Sequence, residues 1–167
     1  KIFESIFSQN EDSEDIISTT IDELWNSDYF ENELQSAEYK MEALEMLLKY
    51  FRYNPMDKNI IHFSEKEIQI KLSSDVYRGK LDRIDIDDSK IHIIDYKTSK
   101  KKKTKNSLFK DIQLAYYCYL LYKSDSDEKI NGLPNYATLE FIRDAEDPSV
   151  TVEFNKQHML ETEKRIM

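Results

Sequence analysis

Apolar residues recur at helical spacing through the first third of the chain and at strand spacing beyond it. Ile2, Phe3, Ile6 and Phe7 form one stripe. Ile16, Ile17, Ile21, Leu24 and Trp25 form a second, and Tyr39, Ala43, Leu44, Met46, Leu47, Leu48 and Phe51 a third. Residues 1–55 therefore read as core-packing helices. Asn54-Pro55 closes them, because a residue before proline is pushed out of the helical region. From Ile60 the period falls to two. Residues 66–72 (KEIQIKL) place Ile68, Ile70 and Leu72 on one face, predicting a strand, and 79–98 (GKLDRIDIDDSKIHIIDYKT) predict a β-hairpin turning at Asp87-Asp88-Ser89-Lys90. Helical spacing returns with Leu108, Ile112, Ala115, Tyr116, Tyr119 and Leu120, with Ser107 as the expected N-cap. A loop over 125–135, strands over 136–142 and 150–154 joined by a turn at Asp147-Pro148, and a helix from Asn155 complete the pattern.

These elements predict a single α/β domain over 1–167: helices over 1–55, a core over 60–154 and a terminal helix over 155–167. The chain starts at Lys1 and its last helical pattern is unfinished, so a piece of a longer protein is expected.

The hairpin carries the chemistry. With the turn at 87–90, outward pairing matches Ile86 with Ile91, Ile84 with Ile93, and Asp82 with Asp95. Opposed Cβ atoms lie roughly 5 Å apart. At an effective dielectric near 20 the repulsion of two such carboxylates is of order 3 kcal/mol. A hard divalent cation would offset it, because Mg²⁺ is commonly held by one or two carboxylates plus water and phosphate oxygens. Lys97, two residues beyond Asp95, leaves the strand from the same face. Two acids and a lysine around one point are suited to metal-dependent phosphodiester cleavage. Arg83, Asp85 and His92 point to the other face, where an ion pair or packing is expected. Glu65, Glu67 and His62 stand near enough in the strand pattern to be considered as ligands, but exposed strand-end residues are the commoner case.

Composition narrows the setting. The hydrophobic content of 40% in 167 residues supports a proper core. The net charge of -9 disfavours a nucleic-acid binder when taken alone, yet its distribution is uneven. Acids crowd the first third and residues 125–128, whereas Lys97, Lys100, Lys101, Lys102, Lys103 and Lys105 form a basic run beside the hairpin. That run reads either as a grip on a phosphate backbone or as a solvated loop. The single cysteine, Cys118, excludes a disulfide framework and a four-cysteine iron–sulfur site, and suits a reducing, cytoplasmic compartment. No apolar run is long enough to span a membrane.

Gly79-x-x-Asp82-Arg83-Ile84-Asp85, Ile93-Ile94-Asp95-Tyr96-Lys97-Thr98 and Gln113-Leu114-x-x-Tyr117 together resemble the signature of RecB-type nucleases in the PD-(D/E)XK superfamily. The resemblance covers residues 79–117 and extends, in element order, to about residue 154. It implies a restriction-endonuclease-like core: a central mixed sheet with the active site on a β-hairpin, flanked by helices. It further implies Mg²⁺ or Mn²⁺ held by Asp82 and Asp95 with help from the Tyr96 main-chain carbonyl. Lys97 would act on the attacking water or scissile phosphate, and Gln113 and Tyr117 would support the site and the DNA. Many relatives carry a metal-binding histidine just ahead of a segment like Lys1-Ile2-Phe3-Glu4, and here the chain starts after that place. With one cysteine, the cluster-free branch is the expected one. The implied activity is that of a DNA repair or recombination exonuclease, nucleoid-associated and joined to a helicase domain or subunit. A catalytically degenerate DNA-binding or scaffold module, and a protein-contact domain using the acidic helices, are the competing readings.

Overall fold

The computed structural model describes residues 1–9, 11–124, 130 and 132–166, so the acidic 125–128 segment lies outside the described residues. The chain divides into two compact units, Lys1–Lys58 with Ile142–Pro148, and Asn59–Phe141 with Ser149–Met167.

The first unit is helical: α1 (Ile2–Gln9), α2 (Glu14–Leu24), a short 3₁₀ turn (Ser27–Tyr29) and α3 (Glu33–Tyr53). The starts of α2 and α3 have a local cause. The Ser13 side chain accepts from Ile16 N, and the Asn32 side chain from Gln35 N, filling donors that the first turn cannot satisfy itself. The three predicted stripes meet here, with Ile6, Phe7, Ile17, Ile21, Leu47, Tyr50 and Phe51 buried. Residues 142–148, expected to hold the end of a strand and a turn at Asp147-Pro148, belong to this unit. Asn54 Nδ2 donates to the Ala145 carbonyl at 2.8 Å, and Arg143 pairs with Glu42 at 2.5 Å.

The second unit holds a five-stranded sheet in the order β1 (Ile61–Leu72), β2 (Asp75–Asp87), β3 (Lys90–Lys97), β4 (Tyr136–Phe141), β5 (Ser149–Glu153). Only β3–β4 is parallel, and α4 (Lys105–Leu108) and α5 (Ile112–Lys123) fall in its connection. The chain closes with α6 (Lys156–Ile166). This is a mixed α/β architecture, with the predicted hairpin inside a mixed sheet. The β2–β3 register is the predicted one for Ile84 opposite Ile93 and Ile86 opposite Ile91, but the ladder stops at Arg83–Ile94, so the expected Asp82–Asp95 pair is not part of it. The turn is tighter than the expected tetrad: Asp87 and Lys90 pair, leaving Asp88 and Ser89 as a two-residue loop at φ 44° and 66°. Positive φ at both positions matches the right-handed strand twist, and aspartate tolerates it better than most residues.

α5 packs across the sheet through Leu114, Ala115, Cys118, Tyr119 and Leu121, in one core with Ile68, Leu81, Ile84, Ile93, Leu139 and Phe141. Each such aliphatic or aromatic side chain contributes about 1.5–3 kcal/mol when fully buried. Contact is closest at Gly79, where a Cβ would stand 2.5 Å from Leu120 Cδ1 and 3.1 Å from the Tyr117 ring. The helix start differs from the expectation. Ser107 lies inside the one-turn α4, and Asp111 caps α5, its carboxylate accepting from Gln113 N and Leu114 N. A carboxylate also complements the positive end of the helix dipole, an advantage serine lacks.

Candidate active site

Asp82 occupies an irregular point in the sheet. The β1–β2 ladder pairs Ser64 with Arg83 and Lys66 with Leu81, stepping over Glu65 and Asp82. Glu65 has φ 53°, a left-handed conformation unusual in a strand. The parity of the core residues changes across this step: Ile68, Ile70 and Leu81 lie on one side of it, Phe63, Ile84 and Ile86 on the other, and all face the same core. Strict alternation would send one group to the opposite face. On the other flank, the β2–β3 ladder runs as far as Arg83–Ile94. There the Asp82 carboxylate takes the place of a backbone acceptor, receiving Tyr96 N–H at 3.0 Å.

Around this point five of the expected residues converge. Lys97 forms an ion pair with Asp95 and donates to Gln113 Oε1 at 3.2 Å. Gln113 Nε2 in turn donates to the Tyr117 hydroxyl at 3.1 Å. The helix pair four residues apart thus reaches the charged end of the hairpin. Tyr96 stands between Asp95 and Lys97 on β3. Lys100 and Lys101 are exposed and outside regular structure, Lys102 is half-buried, and Lys103 is paired with Asp111 at 2.5 Å. Asp111 went unrecognised in the sequence because its role depends on where the helix starts. Glu65 is tied to Lys80 by an ion pair.

Burial raises the Asp82 carboxyl above its ordinary value; the Tyr96 N–H opposes this and Glu65 adds to it. Asp95 is also raised by burial, with Lys97 opposing and the Asp82 and Asp111 charges adding. Neither carboxylate is comfortable in the folded chain by itself. Asp95 Oδ2 is buried and, despite its contact with Lys97, accepts no aligned hydrogen bond. An acceptor oxygen of this kind beside a second carboxylate fits a hard divalent cation. Among the described residues no three or more His, Cys, Asp or Glu side chains are gathered as a cation site. Water or phosphate oxygens would therefore complete the coordination.

A stability prediction follows from the raised Asp82. The protonated form favours the fold; that contribution is complete below the ordinary pKa of 3.8 and is lost as pH rises through the raised value. Asp82→Asn, which keeps an acceptor for Tyr96 N–H, is expected to stabilise the metal-free protein at pH 7 by about 1 kcal/mol. The gain should vanish below pH 4, as read from melting temperatures at the two pH values.

Two carboxylates and a lysine thus meet at the end of the β2–β3 hairpin, beside a covering helix. The family model of the PD-(D/E)XK nuclease superfamily matches residues 1–165, and the chain belongs to that superfamily. Among solved structures it is similar to the crystal structure of protein VC1899 from Vibrio cholerae, at 18% identity and a TM-score of 0.35, over 81% of this chain and 31% of that one. The chain thus spans about a third of that protein's length. The comparison with curated proteins gave no match. No helix among the described residues is long and apolar enough to cross a membrane.

Proposed function

We propose that this chain is a DNA-cleaving nuclease domain of the RecB type, spanning both compact units and serving as one module of a larger exonuclease or helicase–nuclease in DNA repair or recombination. The observation that carries the reading is the convergence of Asp82, Asp95, Lys97 and Gln113 at the point where the β2–β3 ladder ends. Asp82 and Asp95 hold Mg²⁺ or Mn²⁺, with the Tyr96 carbonyl beside them. The ion, when bound, lowers the pKa of a water and offsets charge on the phosphate. Lys97 supplies a second positive charge at the same centre, aimed by Gln113, whose own amide is held by Tyr117.

The overall negative charge does not oppose this reading. The helical unit carries 6 basic against 17 acidic residues, whereas the sheet unit carries 18 against 16. The acidic excess therefore lies in the helical unit's sequence, and Lys100 to Lys103 lie within the near-neutral unit as a sequence-independent grip whose strength falls with salt.

Cleavage of end-labelled single- and double-stranded DNA with Mn²⁺, followed over time, tests the proposal. Activity should require the metal, stop with chelator and be absent in Asp95→Ala. Cleavage by Asp95→Ala at the wild-type rate would refute it, and DNA binding without any cleavage would favour a degenerate module.

A further inference from the structure

The reverse face of the sheet carries buried polar groups that the cleavage chemistry leaves unused. Tyr96 lies between Asp95 and Lys97, so its side chain leaves β3 on the opposite face. There its hydroxyl accepts from Arg83 Nη1 at 3.2 Å. The same guanidinium grips Asp85 with both arms, Nε and Nη2 each donating at 2.6 Å. His62 Nδ1 is hydrogen-bonded to that carboxylate at 2.6 Å. The His62 and Asp85 side chains are 7% and 8% exposed, and Arg83 is 15% exposed. The network crosses three strands: His62 on β1, Arg83 and Asp85 on β2, Tyr96 on β3. Planar two-armed pairing to a buried carboxylate fixes the orientation of Arg83 far better than a single charge contact would.

Its placement gives it a second consequence. Beyond the Arg83–Ile94 pair, β3 parts from the β2 ladder while still running beside β4 through Lys97. At that parting Tyr96 is held on both sides by consecutive residues of β2. Its N–H donates to Asp82 on the site face, and its hydroxyl accepts from Arg83 on the other. Asp95 and Lys97 are its immediate neighbours, so any shift of Tyr96 against β2 moves both of them relative to Asp82.

We infer that His62, Asp85, Arg83 and the Tyr96 hydroxyl form a positioning clamp that sets the separation of the Asp82 and Asp95 carboxylates, and with it the affinity for a divalent cation. This rests on the reading above that those two carboxylates hold the metal. Supporting hydrogen bonds behind metal ligands are worth about 10–100-fold in affinity, and a loss in that range is expected here.

Tyr96→Phe keeps the ring and the strand while removing the hydroxyl, and Arg83→Lys keeps the charge while removing the fork. Mn²⁺ binding to the full chain, followed by isothermal titration calorimetry together with the melting temperature, separates the possibilities. Thr151→Val serves as a control, because it breaks a part-buried 2.7 Å hydroxyl bond to Thr138 in the same sheet and contacts none of the four clamp residues, reaching them only through Thr138 and His92. The clamp predicts about tenfold weaker Mn²⁺ binding in Tyr96→Phe and Arg83→Lys, and unchanged binding in Thr151→Val. Binding by Tyr96→Phe within twofold of wild type overturns the clamp and leaves the metal site standing. An equal loss in Thr151→Val also overturns it, since general loosening then explains the effect. Wild-type protein that binds no Mn²⁺, or Asp95→Ala that binds as well as wild type, overturns the metal reading and the clamp with it.

Discussion

Replacing Lys97 by alanine is expected to lower the single-turnover rate of DNA cleavage by about 10²–10³-fold, the usual cost of removing one preorganised group that meets charge in a transition state. Metal binding should survive, because Asp82 and Asp95 remain. Lys97 is one of the influences holding the Asp95 pKa down against burial. Its loss should therefore also move metal binding to higher pH, since the carboxylate must be ionised to ligate. Lys97→Arg should rescue little: the longer planar fork would not reproduce a point charge that both pairs with Asp95 and bonds Gln113 at 3.2 Å. Circular dichroism would establish that these variants fold, and a Lys97→Ala rate within threefold of wild type would remove the lysine from the chemistry.

The largest stability effect is expected at Asp85, which sits behind the site. Burial acts to raise its pKa, but His62 and Arg83 outweigh that and hold it below the ordinary carboxylate value. Asp85→Ala would leave Arg83 and His62 enclosed without their shared acceptor. Removing one partner of a buried ion pair costs about 3–5 kcal/mol, a large part of the 5–15 kcal/mol typical of a whole protein. The pH dependence has the opposite sign to that of Asp82. The stabilisation from a depressed carboxylate is present above its unfolded value of 3.8 and is lost as pH falls through the lowered folded value. Urea midpoints should therefore differ strongly between wild type and Asp85→Ala at pH 7 and converge in strong acid. A difference under 1 kcal/mol at neutrality would show that the network contributes little to the fold.

Asp82 and Asp85, three residues apart on one strand, thus have opposed environments. Asp82 on the site face is disfavoured in its charged form by burial, with Glu65 adding to the effect. Asp85 lies against Arg83 on the reverse face and is content in its charged form. Burial acts to raise both, and only at Asp85 do the neighbours, His62 and Arg83, outweigh it.

The hairpin was legible because strand period and turn chemistry are local properties. Once Asp88 and Ser89 form the loop, Ile84 must meet Ile93, and Asp95 and Lys97 must share a face. Helix existence was equally local in α1 to α3, where three apolar stripes and the Asn54-Pro55 stop suffice. The α5 cap was not, because Ser107 and Asp111 both suit the role. What selects Asp111 is the register that brings Tyr117 and Leu120 against Gly79 and Gln113 against Lys97. Nothing in residues 142–148 announces their place beside the helices, which depends on Asn54 and Glu42 about a hundred residues earlier.

The sequence by itself determined that Asp95 and Lys97 share one face of β3, since a period of two leaves no other assignment within that strand. Tertiary structure alone decided the step at Glu65 and Asp82 that frees the end of the hairpin from its ladder, the reach of Gln113 to Lys97, and the grip of Arg83 on Tyr96. Each of these joins residues on different elements through side-chain geometry that is set only when β1, β2, β3 and α5 pack together.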